Sequence, residues 1–250
     1  LFRAFYNYTR KTYPELPDNP CIAVDWFKEV RRDGAIPRDR LPQWWKEVHA
    51  LDNPIRRDLY ILTLFTGLRR ETACSIRLED IDLEAKTLHV PKPKGGTERA
   101  FTIPLADYLV SLIRHRIADN EARRAKANKL RARKKLPLLK PSPFLFPADS
   151  ASGHVSEPKA SRSDGFTVPF TPHGLRNTYS SAATSAGVHP YKLKLLLNHE
   201  LPKSDVTAGY VSLDVEALRP EQEKIAETLL ALLEPQPKAS HLRPVPAPAA

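Results

Sequence analysis

Apolar positions along the chain fall into two periods, and the change of period marks the elements. Leu41, Trp44, Trp45, Val48 and Leu51 recur at helical spacing and predict an amphipathic helix. Asp52 or Asn53 followed by Pro54 opens a second helix, PIRRDLYILTLFTG. Its centre is apolar nearly all round, which predicts a buried helix, and Gly67 suits its C-terminus. From residue 78 the period shortens. Ile81, Leu83, Leu88 and Val90 form short alternating runs, Gly95-Gly96 marks a turn, and Ala100, Phe101 and Ile103 resume the alternation. This predicts a small antiparallel sheet. Pro104 is expected to start a helix whose stripe is Leu105, Tyr108, Leu109, Leu112, Ile113 and Ile117. The stripe fades past Ala118. Residues 148–170 read as a long Ser-, Pro- and Gly-rich loop. Helices resume over about 172–186 and 190–197. A last amphipathic helix uses Val215, Leu218, Ile225, Leu229 and Leu232, with Pro220 interrupting or restarting it. The fold class is therefore α+β, mostly α-helical, with one small antiparallel β-sheet.

The ends follow other patterns. Residues 1–13 read as the end of an aromatic-bearing helix, which Pro14, Pro17 and Pro20 break. The expected organisation is a helical domain ending at residues 1–20, a linker over 21–40 and a main domain over 41–233. A Pro/Ala-rich, disordered tail is expected over 234–250. The chain begins with Leu1 and holds no Met, and it reads as a piece of a longer polypeptide. No apolar run reaches the roughly 18 residues of a transmembrane helix. Cys21 and Cys74 are too few for a disulfide framework or a Cys-rich zinc site, and a reducing, intracellular setting is the simplest reading.

Charge changes the picture through its location. The 250 residues carry 39 Lys+Arg against 29 Asp+Glu, a formal charge of +10. The 27 residues Arg114–Lys140 hold 11 basic and 2 acidic side chains, so nearly all of the excess is in one segment. Such a run is either a solvated face or an arm that lies on phosphate. Nucleic acid is the first polyanion to consider and a membrane surface the second. The arm's candidate DNA contacts are Arg123, Arg124, Lys126, Lys129, Arg131, Arg133, Lys134 and Lys135.

Four clusters could carry chemistry. Arg69 and Arg70 follow a buried helix and its glycine stop, in TGLRR. Lys92 and Lys94 flank Pro93 beside the Gly95-Gly96 turn. His173 and Arg176 stand at i and i+3 in TPHGLR, at a helix N-terminus suited to anions. Asn198-His199 follows an apolar run, with Tyr210 eleven residues on. Each cluster alone also fits a surface, capping or packing role. Together they offer three Arg, two Lys, two His and a Tyr, with no acidic set at metal-ligand spacing. No Gly-rich nucleotide loop and no Ser-His-Asp or Cys-His arrangement accompanies them. Those absences count against a metal nuclease, an ATPase and an ordinary hydrolase. A cationic pocket with a phenol suits attack of tyrosine on a phosphodiester.

The ordered set TGLRR (66–70), Lys94, HGLR (173–176), LLLNH (195–199) and Tyr210 resembles the tyrosine recombinases, the phage integrase family. The likeness runs over roughly Leu41–Leu233, and residues 1–20 resemble the end of that family's helical core-binding domain. Resemblance implies that Arg69 and Arg176 hold the scissile phosphate and that His199 hydrogen-bonds it. It implies His173 as base, Lys94 as general acid and Tyr210 as nucleophile, with no cofactor. The implied partners are double-stranded DNA at attachment sites and further protomers in a tetramer. Accessory DNA-bending or directionality proteins are also implied, with a cytoplasmic, nucleoid-associated location. A type IB topoisomerase-like relaxer and an idle DNA-binding regulator are the alternatives. Two departures stand out. Thr72 occupies a position that is commonly acidic in the family, with Glu71 expected to point elsewhere, and Lys92 competes with Lys94.

Overall fold

The computed structural model describes residues 1–25, 34–156, 158, 164–199 and 214–234. The chain divides into two compact units, Leu1–Arg32 and Asp33–Ala250. In the first, helix α1 (Phe2–Thr12) buries none of its residues. Asn19 ties the proline-broken return to it. The Asn19 amide donates to the carbonyl of Arg3 at 3.1 Å and to Oδ1 of Asn7 at 2.7 Å.

The second unit is mostly helical and includes a three-stranded antiparallel sheet that packs on the last helix. In chain order it holds α2 (Leu41–His49), α3 (Pro54–Thr66), the short α4 (Arg70–Cys74), β1 (Ile81–Asp82), β2 (Thr87–Val90) and β3 (Phe101–Pro104). Helices α5 (Asp107–Arg133), α6 (Pro172–Ser185), α7 (Pro190–Leu196) and α8 (Val215–Leu233) follow. The strands lie in sequential order, with Leu88 opposite both Ile81 and Ile103. This is the mostly helical α+β architecture that the periodicity predicts.

Helix α3 is the spine of the core. Asn53 caps it by accepting the amides of Ile55 and Arg56, and Pro54 occupies its first turn. Every residue from Asp58 to Thr66 is buried, as an all-round apolar pattern requires. Trp44 and Val48, Leu109 and Ile113, Leu175 and Tyr179, and Ile225 and Leu229 share the buried cluster around it. One polar chain crosses this core: the Tyr179 hydroxyl donates to Gln222 Oε1, and Gln222 Nε2 donates to the Phe65 carbonyl, each at 2.7 Å. It ties α6, α8 and α3 together without leaving a buried donor unpaired.

The structure corrects three expectations. Pro104 closes strand β3 opposite Thr87, and α5 starts at Asp107. An edge strand tolerates a proline, so the ring does not have to begin a helix. Pro220 neither breaks nor restarts α8, which runs through it from an Asp214 cap. Arg116, inside the basic segment, is a core residue. It is fully buried and its Nη1 meets Asp58 Oδ2 at 2.9 Å, with Asp119 on its other nitrogen. Helix α8 buries Leu218, Ile225, Leu229 and Leu233 within its own chain. Among the described residues no helix is long and apolar enough to cross a membrane. The tail 235–250 lies outside the described residues.

Candidate active site

The site begins where α3 stops. Gly67 takes a left-handed φ of 61°, and its amide closes the helix on the Thr63 carbonyl at 3.0 Å. A Cβ here would lie 2.6 Å from Tyr179 Cδ1 and 2.9 Å from Leu197 Cδ2, so both conformation and space require glycine. Its carbonyl accepts from Arg176 Nη1 at 2.6 Å. Arg176 Nη2 also donates to the Leu197 carbonyl at 2.9 Å. Two helix ends, those of α3 and α7, thus hold one guanidinium.

Helix α6 brings Arg176 there. Thr171 accepts the Gly174 amide at 2.9 Å and Pro172 fills the first turn. Gly174 lets the chain cross closely, because a Cβ would sit 2.3 Å from the Gly34 carbonyl oxygen. His173 stands exposed in the same first turn, three residues before Arg176.

Arg176 is only 5% exposed. Among the described residues it has no carboxylate in ion-pair distance. Burial, and then the neighbouring charge of Arg69, pull its pKa down to about 10. Its Nη2 lies 2.7 Å from His199 Nε2. A guanidinium can only donate, so Nε2 accepts and the imidazole is neutral with its proton on Nδ1. The His199 pKa is lowered in agreement: desolvation comes first, then the charges of Arg176, Arg69, Lys194 and Arg99. This is a cationic cluster held in place by backbone, with donors left for an anion.

An open cleft of about 580 Å³ joins the clusters. Arg69, Arg70, Lys92, Lys94, His173 and Arg176 all line it, and Thr72 and Ser75 share its wall. Five of the six residues expected to be catalytic are therefore gathered: four in the cleft and His199 on Arg176. Tyr210 lies outside the described residues. Lys92 and Lys94 are both exposed at the cleft, with Pro93 buried between them. Glu71 also lines the cleft, contrary to expectation, but its carboxylate turns to Arg70 at 3.9 Å and is largely exposed. Sequence reasoning missed Gly34, whose only local signal is a glycine in a linker, and Arg99, which hydrogen-bonds a residue 99 positions away.

Beyond the cleft, the basic segment forms the outer part of α5 and a returning loop. Arg123 pairs with Asp119 and Arg124 with Glu121, and Arg131 donates to the Pro137 carbonyl. Lys126, Lys129, Arg133, Lys134 and Lys135 are exposed. The Asn128 side chain fastens the return by exchanging two hydrogen bonds with the Leu139 backbone.

The model of the Phage integrase family matches residues 47–216. The chain belongs to the phage integrase family. The family likeness read from five ordered motifs is thereby borne out, and the match spans α3 to the start of α8. This phage integrase family member is 25% identical over 242 residues to the prophage integrase IntF of Escherichia coli, covering 92% of this chain and 48% of IntF. It is 29% identical over 200 residues to the tyrosine recombinase XerA of Thermococcus kodakarensis, covering 76% of this chain and 63% of that protein. The chain thus spans about half the length of IntF. Among solved structures, the Tn1549 transposon integrase in complex with circular intermediate DNA shares its fold. The TM-score is 0.55 at 17% identity, over 89% of this chain and 75% of that one.

Proposed function

We propose that the chain carries the catalytic unit of a site-specific DNA recombinase, an integrase that moves a mobile element through a 3′-phosphotyrosyl intermediate. Arg176 is the observation that carries this reading. A buried guanidinium beside Arg69, braced by two carbonyls and a neutral histidine, awaits an anion whose charge it can share. In the reaction Arg69 and Arg176 hold the non-bridging oxygens, and His199 donates a hydrogen bond to the same phosphate. Fixed donors of this kind stabilise the extra charge of a pentacoordinate transition state. The Tyr210 phenol forms a bond to phosphorus as the bond to the 5′ oxygen breaks. His173 takes the phenolic proton, and Lys94 delivers a proton to the departing oxygen. One phosphoester replaces another, so the 5′ hydroxyl of a second strand can reverse the step and complete strand exchange.

The substrate is double-stranded DNA, a reading supported by the Tn1549 transposon integrase's complex with DNA. Four protomers on two duplexes would carry out the exchange, with DNA-bending or directionality proteins as accessories. The exposed cations of the α5 arm add phosphate contacts that carry no sequence information.

The test is covalent capture from nicked duplexes with a randomised core. Wild-type protein should become linked to a subset that defines the cleavage sequence. Tyr210→Phe should form no adduct and retain DNA binding. An adduct with the Phe variant, or none with the wild-type protein, would overturn the reading.

A further inference from the structure

We infer that Arg99 and Asn198 form a clamp that positions Lys94 against the leaving 5′ oxygen; this rests on the recombinase reading above. The clamp begins at the end of α7. Asn198 takes a left-handed φ of 48°. Its amide bonds the Leu195 carbonyl at 2.9 Å and the His199 amide bonds the Lys194 carbonyl at 2.8 Å. This pair of bonds closes a helix on a left-handed residue, a position that glycine takes with least strain. The asparagine brings something that glycine lacks. Its Nδ2 donates to the Arg99 carbonyl at 3.1 Å, and Arg99 Nη2 donates back to the Asn198 carbonyl at 3.3 Å.

Arg99 meets the lysine turn as well. Gly95, next to Lys94, has a φ of 120°, and a Cβ there would lie 2.8 Å from Arg99 Cδ. The arginine stem therefore lies across the turn that carries Lys94, and its guanidinium reaches the residue before His199. Behind it, Phe101 pairs with Val90 and anchors the segment to the sheet. Lys94 is exposed and makes no hydrogen bond or ion pair to a described residue. Its reach is thus set by the backbone of its loop, and the clamp ties that backbone to the His199 and Arg176 side of the cleft. A proton donor must come within about 2.6–3.2 Å of its acceptor. Arg99 and Asn198 are positioning residues, since neither is among the residues that line the cleft.

The experiment uses the duplex recovered in the adduct, made with either oxygen or sulfur at the bridging 5′ position. A thiol of pKa about 8.5 leaves as the thiolate without help, whereas an oxygen leaving group needs the proton. Asn198→Gly keeps the left-handed turn and deletes the side-chain bond. It should slow adduct formation on the oxygen duplex about 10- to 100-fold, as small misplacements of catalytic groups do. On the sulfur duplex it should match wild type within about 3-fold. Arg99→Ala should behave alike, Arg99→Lys should recover part of the oxygen rate, and DNA affinity should hold for Asn198→Gly. An unchanged oxygen rate, or equal slowing on both duplexes, would overturn the clamp. Lys94→Ala is the reference. If sulfur does not rescue it, Lys94 is not the acid and the recombinase assignment of that residue fails, taking the clamp with it.

Discussion

An arginine as enclosed as Arg176 ordinarily has a carboxylate beside it. Here two backbone carbonyls and an imidazole take that place, which orients the guanidinium without neutralising it. The consequence is measurable at His199. Its folded pKa is depressed below the ordinary 6.5, so the unfolded chain binds the proton more readily. Neutral His199 therefore favours the fold fully above about pH 6.5, and that contribution is lost as pH falls through the folded value. Its NMR titration should lie below about 6.5 and rise when a DNA phosphate enters, because added negative charge favours the imidazolium. A free-state value at or above 6.5 would mean that the neighbouring cations do not act on the ring. Arg176, His173 and His199 were legible as candidates because each sits in a short local motif. The hydrogen bond between Arg176 and His199 was not, since it spans 23 residues and two helices.

At the scale of elements, the stop of α3 matters as much as the helix. Gly67 ends it, clears space for Tyr179 and Leu197, and presents the carbonyl that Arg176 uses. Gly67→Ala combines a left-handed penalty with overpacking and should cost about 2–4 kcal/mol in urea denaturation. It should also depress adduct formation more than stability alone predicts, because the carbonyl moves. A loss under about 1 kcal/mol would show that the turn relaxes freely. The glycine stop was readable from sequence, but the second reason for it was not. Periodicity misplaced the start of α5 and left Pro220 ambiguous for a related reason: proline's effect depends on whether its strand is an edge and whether its helix is packed.

For the molecule as a whole, the +10 charge divides into parts with different work. Arg116 contributes to it and is buried against Asp58, whereas Lys129, Arg133, Lys134 and Lys135 are exposed. Replacing those four with Gln should leave the melting temperature close to wild type. It should also reduce the slope of log affinity against log salt by up to about 3–4. An unchanged slope would leave the arm a solvated face. By itself the sequence determined the helical and strand periods, the glycine stops, the caps and the order of the motifs. These depend on neighbours within a few residues. Only the tertiary structure decided that Arg116 belongs to the core, that Glu71 lines the cleft, and that Arg99 meets Asn198 across 99 residues. Those outcomes depend on which surfaces of distant elements pack together, and no local pattern encodes that choice.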